Sequence, residues 1–187
     1  MTIRRNVLWI TQTAVFTAML VTMQIVTAPL GNQFVTGSVV NLIIIISLLV
    51  CGPATGIVVG IISPVCVSLL GFGPAFPPIV PFIAIGNAVF VLAWVLLMKL
   101  IDPDKPDNRN TIVKYFIVAA AALIKFLALY LTIVKFAVPF LLDLNEAQSA
   151  VLGLAFSYPQ IITAIIGGAI ATAIVPRLQK ALRIRTR

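Results

Sequence analysis

Histidine is absent from this sequence, and only two cysteines and five acidic residues occur among its 187 residues. Zinc and haem sites draw mainly on clustered histidine and cysteine, and neither cysteine belongs to a CxxC pair. All five acidic residues fall outside the apolar runs, so those runs cannot hold a carboxylate pair or a Ser-His arrangement. We therefore expect no cofactor and no metal, with Cys51 and Cys66 as small apolar core residues.

Two further absences limit the mechanism. The sequence has no GxxxxGK[ST] run to hold nucleotide phosphates, so any ATP hydrolysis must belong to another protein. No internal repeat is evident, so the inverted-repeat design of many secondary transporters has no support. We expect this chain to have no ATPase site and no enzymatic activity of its own.

What the chain does contain is apolar sequence. It is 61% hydrophobic and only 10% charged, with a mean hydropathy of +1.15, whereas soluble chains average about 25% charged residues. About 20 apolar residues are needed to cross a bilayer as a helix. We predict an all-α membrane protein, residues 1–187 forming a single integral membrane domain with a retained first span and a basic tail over 177–187. The six predicted spans are Leu8–Pro29, Ser38–Cys51, Ala54–Leu70, Ile79–Leu100, Ile112–Val138 and Ala147–Val175.

The basic residues predict how these spans are oriented. With six spans, every Lys and Arg except Lys125 and Lys135 lies on the same side as the two termini. This asymmetry predicts that both termini are cytoplasmic. The second span is short, so it could be re-entrant and leave five spans. The net charge of +8 fits orientation in the lipid bilayer, and we expect no nucleic-acid partner.

Polar residues inside the predicted spans gather at one depth. A rise of about 1.5 Å per residue places seven of them, from five spans, between the midplane and the outer surface. They are Gln24, Asn41, Asn87, Lys125, Lys135, Tyr158 and Gln160. Gln24, Asn41 and Asn87 could simply bond between helices, and Lys135 is close enough to the outer end to extend to the interface. The candidate substrate-binding residues are Asn41, Asn87, Lys125, Tyr158 and Gln160.

Lys125 is the most informative of these residues, since it falls near mid-bilayer and no span carries an acidic residue to pair with it. A lone buried cation is costly unless water or an anion reaches it. We expect a water-filled cavity, open to the outside, that binds a small molecule. Phe34 could cover it or act as an interfacial anchor, as could Phe72, Phe76 and Phe82. Pro81 and Pro159 are expected to free backbone carbonyls at the same depth.

Small residues one helical turn apart occur in three spans. Such pairs let helix backbones approach closely, either within the bundle or against a partner protein. The pairs are Ala14 and Ala18 in span one, Gly56 and Gly60 in span three, and Ala164 with Gly168 and Gly167 with Ala171 in span six.

With these features the whole chain resembles the substrate-binding S component of an energy-coupling-factor (ECF) vitamin transporter. The resemblance rests on the six-span layout and on short motifs, namely Ala14-xxx-Ala18, Gly37-Ser38-Val39-Val40-Asn41, Gly56, Gly60, Ser63-Pro64 and Pro81-Phe82-Ile83-Ala84-Ile85-Gly86-Asn87. It implies a vitamin-like ligand near the outer face of a bacterial plasma membrane. It also implies that Ala14 and Ala18 dock onto a membrane coupling subunit, the T component, which two ATPase subunits drive. The loop Gly31–Gly37 would be the gate, and transport would involve toppling of the S component in the membrane.

The polar residues narrow the substrate without fixing it. A lysine and amides without a carboxylate disfavour a cation such as thiamine and suit an anion or a neutral polar molecule. Pantothenate fits best, while folate, riboflavin and cobalamin stay open. A stand-alone permease or facilitator is the main alternative function, and a membrane enzyme acting on lipid head groups is a more distant one.

Overall fold

A computed structural model describes residues 2–101 and 107–181, with side chains placed over 6–101 and 111–180. All the regular secondary structure in these residues is helical, which confirms the all-α prediction. The helices are α1 (Thr2–Thr27), α2 (Gln33–Cys51), α3 (Pro53–Leu69), α4 (Val80–Leu97), α5 (Asp107–Leu129), α6 (Val138–Phe140), α7 (Glu146–Ala155) and α8 (Tyr158–Ala181). A π-helical segment, Tyr130–Ala137, joins α5 to α6, and residues 182–187 of the predicted basic tail lie outside the described part.

Five stretches of helix in the described part of the chain are long and apolar enough to cross a membrane, so the chain is a multi-pass membrane protein. They are Asn6–Leu30, Gln33–Cys51, Pro77–Leu100, Thr111–Phe140 and Glu146–Lys180. The remaining predicted span, the third (Ala54–Leu70), corresponds to α3, a shorter apolar helix of 17 residues.

The expectation of a short second span was wrong. Helix α2 begins at Gln33, because Asn32 caps it there, and it runs for 19 residues. The Asn32 side-chain oxygen accepts hydrogen bonds from the backbone N–H groups of Phe34 (2.9 Å) and Val35 (3.4 Å), as a helix N-cap does. The loop predicted over Gly31–Gly37 was therefore too long, since only Gly31 and Asn32 separate the 3-10 turn Ala28–Leu30 from α2.

Helix α2 packs most extensively against α8, and glycine makes this close crossing possible. A Cβ atom on Gly167 would lie 2.6 Å from the Ser38 carbonyl oxygen and 2.7 Å from the Leu42 nitrogen. At Gly56 and Gly60 the packing is less tight, since an added Cβ would lie 3.0 Å from Leu48 Cβ and 3.1 Å from Asn87 Cβ. The small residues of spans three and six therefore serve packing within the bundle.

The last predicted span is divided at Phe156 and Ser157, so α7 and α8 are separate helices. Pro159 lies in the first turn of α8, where a proline is tolerated. Having no N–H, it leaves the Ala155 carbonyl without a helical donor, as predicted. The equivalent expectation for Pro81 was wrong, because the Pro77 carbonyl accepts a hydrogen bond from the Val80 N–H.

Candidate functional site

Lys125 points into the bundle and its side chain is only 3% exposed. Its Nζ donates hydrogen bonds to Asn41 Oδ1 at 2.6 Å and to Asn87 Oδ1 at 2.8 Å. Nζ also lies 5.0 Å from the centroid of the Phe90 ring, within the range of a cation–π interaction. The structure thus brings together three of the predicted site residues, from α2, α4 and α5.

The amide nitrogens of both asparagines have partners as well. Asn41 Nδ2 donates to Thr163 Oγ1 on α8 at 3.3 Å, and Asn87 Nδ2 donates to the Gly60 carbonyl on α3 at 2.9 Å. Because each NH₂ group is held on the far side, each amide oxygen is directed at the lysine. Lys125 therefore sits in a preformed polar cluster that ties five helices together.

This cluster lines a cavity of about 190 Å³, which we term the lysine chamber. The polar lining comes from Gln24, Gln33, Thr36, Asn41, Asn87, Lys125 and Gln160, and the remaining lining from Gly37, Val40, Pro64, Ile83, Leu129 and Phe156. None of these residues is acidic, so the lining carries a single positive charge and no formal counter-charge. An ammonium has three N–H donors, and the described residues accept two of them.

A larger cavity of about 620 Å³ adjoins the chamber, and we term it the vestibule. The two share Gln24, Gln33, Thr36, Pro64 and Ile83. The vestibule is bounded by the turn between α1 and α2 and by residues 72–75 of the loop after α3. The chamber therefore communicates with the end of the bundle at which this turn and loop lie.

The Ala155 carbonyl holds two of the side chains that line the chamber. It accepts hydrogen bonds from Gln33 Nε2 at 2.5 Å and from Gln160 Nε2 at 3.1 Å. These side chains supply the donors that Pro159 cannot. The first residue of α2 is thereby fastened to the break between α7 and α8.

Two predicted site residues lie elsewhere. Phe34 and Tyr158 are 39% and 53% exposed and line a separate surface groove of about 580 Å³ between the α1–α2 turn and the α7–α8 region. Of the other aromatic residues that could cover the site, Phe72 lines the vestibule. Phe82 stacks edge-on with Phe136, 6.3 Å between centroids, and Phe76 packs in an apolar cluster.

The sequence analysis missed Gln33, Thr36 and Thr163 as members of the site. Gln33 had been placed in a loop. The signal that could have found it is the spacing of Gln33, Thr36, Val40 and Asn41, which puts all four on one face of a helix.

Ala14 and Ala18 differ from the other small pairs because both are exposed. They line an open groove of about 580 Å³ between α1 and α3, which we term the α1 groove. Its walls are almost entirely apolar and consist of Trp9, Ile10, Thr13, Thr17, Val21, Val58, Ile62, Cys66 and Leu70. Cys51 and Cys66 are both free thiols and half-buried, so the expectation that they are core residues was wrong.

Residues 12–179 match the family model described as ECF transporter, substrate-specific component. The chain belongs to this family. It is thus a substrate-specific subunit that works with membrane-embedded and ATPase partners. All the residues that line the chamber, the vestibule and the two grooves, except Trp9 and Ile10, fall within the match. No curated protein and no solved structure matches the chain.

Proposed function

We propose that this ECF substrate-specific component binds a small water-soluble vitamin or related micronutrient in the lysine chamber, with high affinity. Asn41, Asn87, Lys125 and Gln160 would contact the substrate, which is an anion or a neutral polar molecule, pantothenate being the best candidate. The observation that carries the proposal is a buried ammonium held by two amide oxygens beside an open cavity. Phe34 and Tyr158 would act only at the surface, near the entrance.

The proposed topology has six spans in a bacterial plasma membrane, with both termini cytoplasmic. Helix α3 measures about 26 Å for its 17 residues, close to the hydrocarbon thickness of about 30 Å. Lys99, Lys114, Arg177 and Lys180 lie at the end of the bundle opposite the vestibule, which supports a cytoplasmic location for that end. The vestibule would then open to the outside.

The α1 groove is the proposed docking surface for the membrane coupling subunit. Small side chains at Ala14 and Ala18 leave room for a partner helix to approach closely. Two ATPase subunits bound to the coupling subunit would hydrolyse the ATP. Substrate binding and partner binding would thus use separate surfaces of the chain.

Partner dependence tests this function. Vesicles containing the chain alone should bind radiolabelled pantothenate or another labelled vitamin but accumulate none. Vesicles that also contain the coupling and ATPase subunits should accumulate it when ATP is present. Accumulation by the chain alone would instead identify a stand-alone permease or facilitator.

A further inference from the structure

We infer that the substrate is a monocarboxylate that enters the lysine chamber with its carboxylate first and keeps hydrogen-bond donors at its other end. This inference rests on the proposed function and adds both a charge and a direction to the substrate. The decisive juxtaposition is a single lysine N–H at the deep end of the chamber and glutamine carbonyl oxygens near its opening.

The charge follows from the deep end. Among the described residues, Lys125 has two neutral amide oxygens and the Phe90 ring as partners, which leaves one of its N–H donors without an acceptor there. A neutral ligand would leave this buried charge without a counter-charge, which is strongly unfavourable. A doubly charged phosphate would neutralise the ammonium and leave one buried negative charge without a counter-charge. A single carboxylate neutralises the one positive charge of the chamber.

The orientation of the substrate follows from the glutamine side chains on the side of the chamber nearer the vestibule. A carbonyl oxygen can only accept hydrogen bonds, so Gln33 and Gln160 must turn their NH₂ groups toward Ala155. Their own carbonyl oxygens remain for another donor. Gln24, which lines both the chamber and the vestibule, has a buried Oε1 with no partner among the described residues. A ligand that carries hydroxyl or N–H groups beyond its carboxylate satisfies these acceptors.

Size adds a constraint. The chamber, at about 190 Å³, is smaller than the pockets of about 300–1,000 Å³ that enclose drug-sized ligands. It admits the carboxylate and a slender stem, while any bulkier portion must occupy the vestibule. A molecule whose carboxylate lies next to a large fused ring does not fit, because the ring would have to enter the chamber together with the carboxylate.

The test uses the purified full-length chain and a vitamin-rich metabolite extract, with retained small molecules identified by mass spectrometry. The expected molecule carries one carboxylate at pH 7. Lys125→Met should retain at least about tenfold less of it. Lys135→Met is the matched control, because Lys135 is also an intramembrane lysine but its side chain is exposed; it should retain as much as the wild type.

A second measurement isolates the charge. The wild type should bind the retained acid about 100-fold more tightly than its primary amide. Lys125→Met should abolish that preference, whereas Gln160→Met should weaken acid and amide equally. If Lys125→Met does not fold, the ratio of acid to amide affinity in the wild type still decides the question.

The outcomes separate the two proposals. A retained neutral molecule, or equal affinity for acid and amide, would overturn the carboxylate inference and leave the substrate-binding function standing. A retained cation would overturn the carboxylate inference and also the charge that the proposed function gives to the substrate. Retention of no small molecule from the extract would overturn the proposed function itself, and this inference with it.

Discussion

The lysine chamber and the α1 groove are both concave, but the chamber is lined by many polar residues and the groove almost entirely by apolar ones. The chamber is enclosed by six helices and fixed by hydrogen bonds through Lys125, Asn41 and Asn87. The α1 groove is open, and its two threonines are the only polar residues among those that line it. Thr13, one of these, donates its hydroxyl back to the Trp9 carbonyl at 2.8 Å.

This contrast indicates a division of labour. A charged chamber with oriented amides suits a small polar ligand, because each polar group restricts the ligand's position. An apolar groove with small side chains at its centre offers only shape, which suits packing against another helix. Substitutions in one region should therefore leave the function of the other intact.

The largest effect is expected from Asn87→Leu. It removes an acceptor from Lys125 and the donor to the Gly60 carbonyl. Hydrogen bonds to charged groups contribute about 1.5–3 kcal/mol, so substrate affinity should fall about 10- to 100-fold in a radioligand binding assay. Co-purification with the coupling subunit should be unchanged. Loss of partner association with intact substrate binding would contradict the division of labour.

The double substitution Ala14→Leu and Ala18→Leu should give the opposite phenotype. Two larger side chains would fill the α1 groove, so ATP-dependent uptake into vesicles should fall at least about tenfold through steric overpacking. Substrate affinity of the isolated chain should not change. Ala119→Leu provides the control, since Ala119 is an exposed alanine of α5 outside the groove, and uptake should remain normal.

Gly167→Ala should damage the chamber through the α2–α8 crossing. Its Cβ would meet the backbone of α2 at 2.6–2.7 Å, so the free energy of unfolding should drop by about 1–3 kcal/mol. A thermal unfolding series measures this change. Gly153→Ala is the matched control, because its nearest neighbour would be Val134 Cγ1 at 4.0 Å; a comparable loss there would remove the steric explanation.

The smallest effect is expected from Gln33→Met. This change removes one of the two donors to the Ala155 carbonyl while keeping the side chain's length. Loss of a single neutral hydrogen bond costs about 1 kcal/mol. We expect substrate release to accelerate about fivefold in a filter-binding chase. An unchanged release rate would show that this contact does not hold the chamber closed.

The sequence could predict the depth of the site in the membrane. It could not predict which side chains of each helix face the interior of the bundle. Helix rise placed Asn41, Asn87 and Lys125 at one level, and the three do meet. Tyr158 and Gln160 share a level too, yet two residues rotate a side chain by about 200°. One therefore faces a surface groove and the other the chamber. Which of the two faces inward depends on how α8 packs, and that information is not local.

The prediction of helix boundaries was wrong for a related reason. The pair Gly31-Asn32 reads as a turn, and it is one, but Asn32 also starts α2. Extending the loop to Gly37 removed Gln33 and Thr36 from the helix and hence from the site. At the break between α7 and α8, the Ala155 carbonyl accepts a hydrogen bond from Gln33, which is 122 residues away in the sequence, and no local pattern reveals that contact.

The most direct test of the central claim is an experimental structure of the chain with its co-purified small molecule. We predict ligand density in the lysine chamber, with an acceptor oxygen within hydrogen-bond distance of Lys125 Nζ and between Asn41 and Asn87. Ligand density in the groove lined by Phe34 and Tyr158, with the chamber left to water alone, would contradict the account.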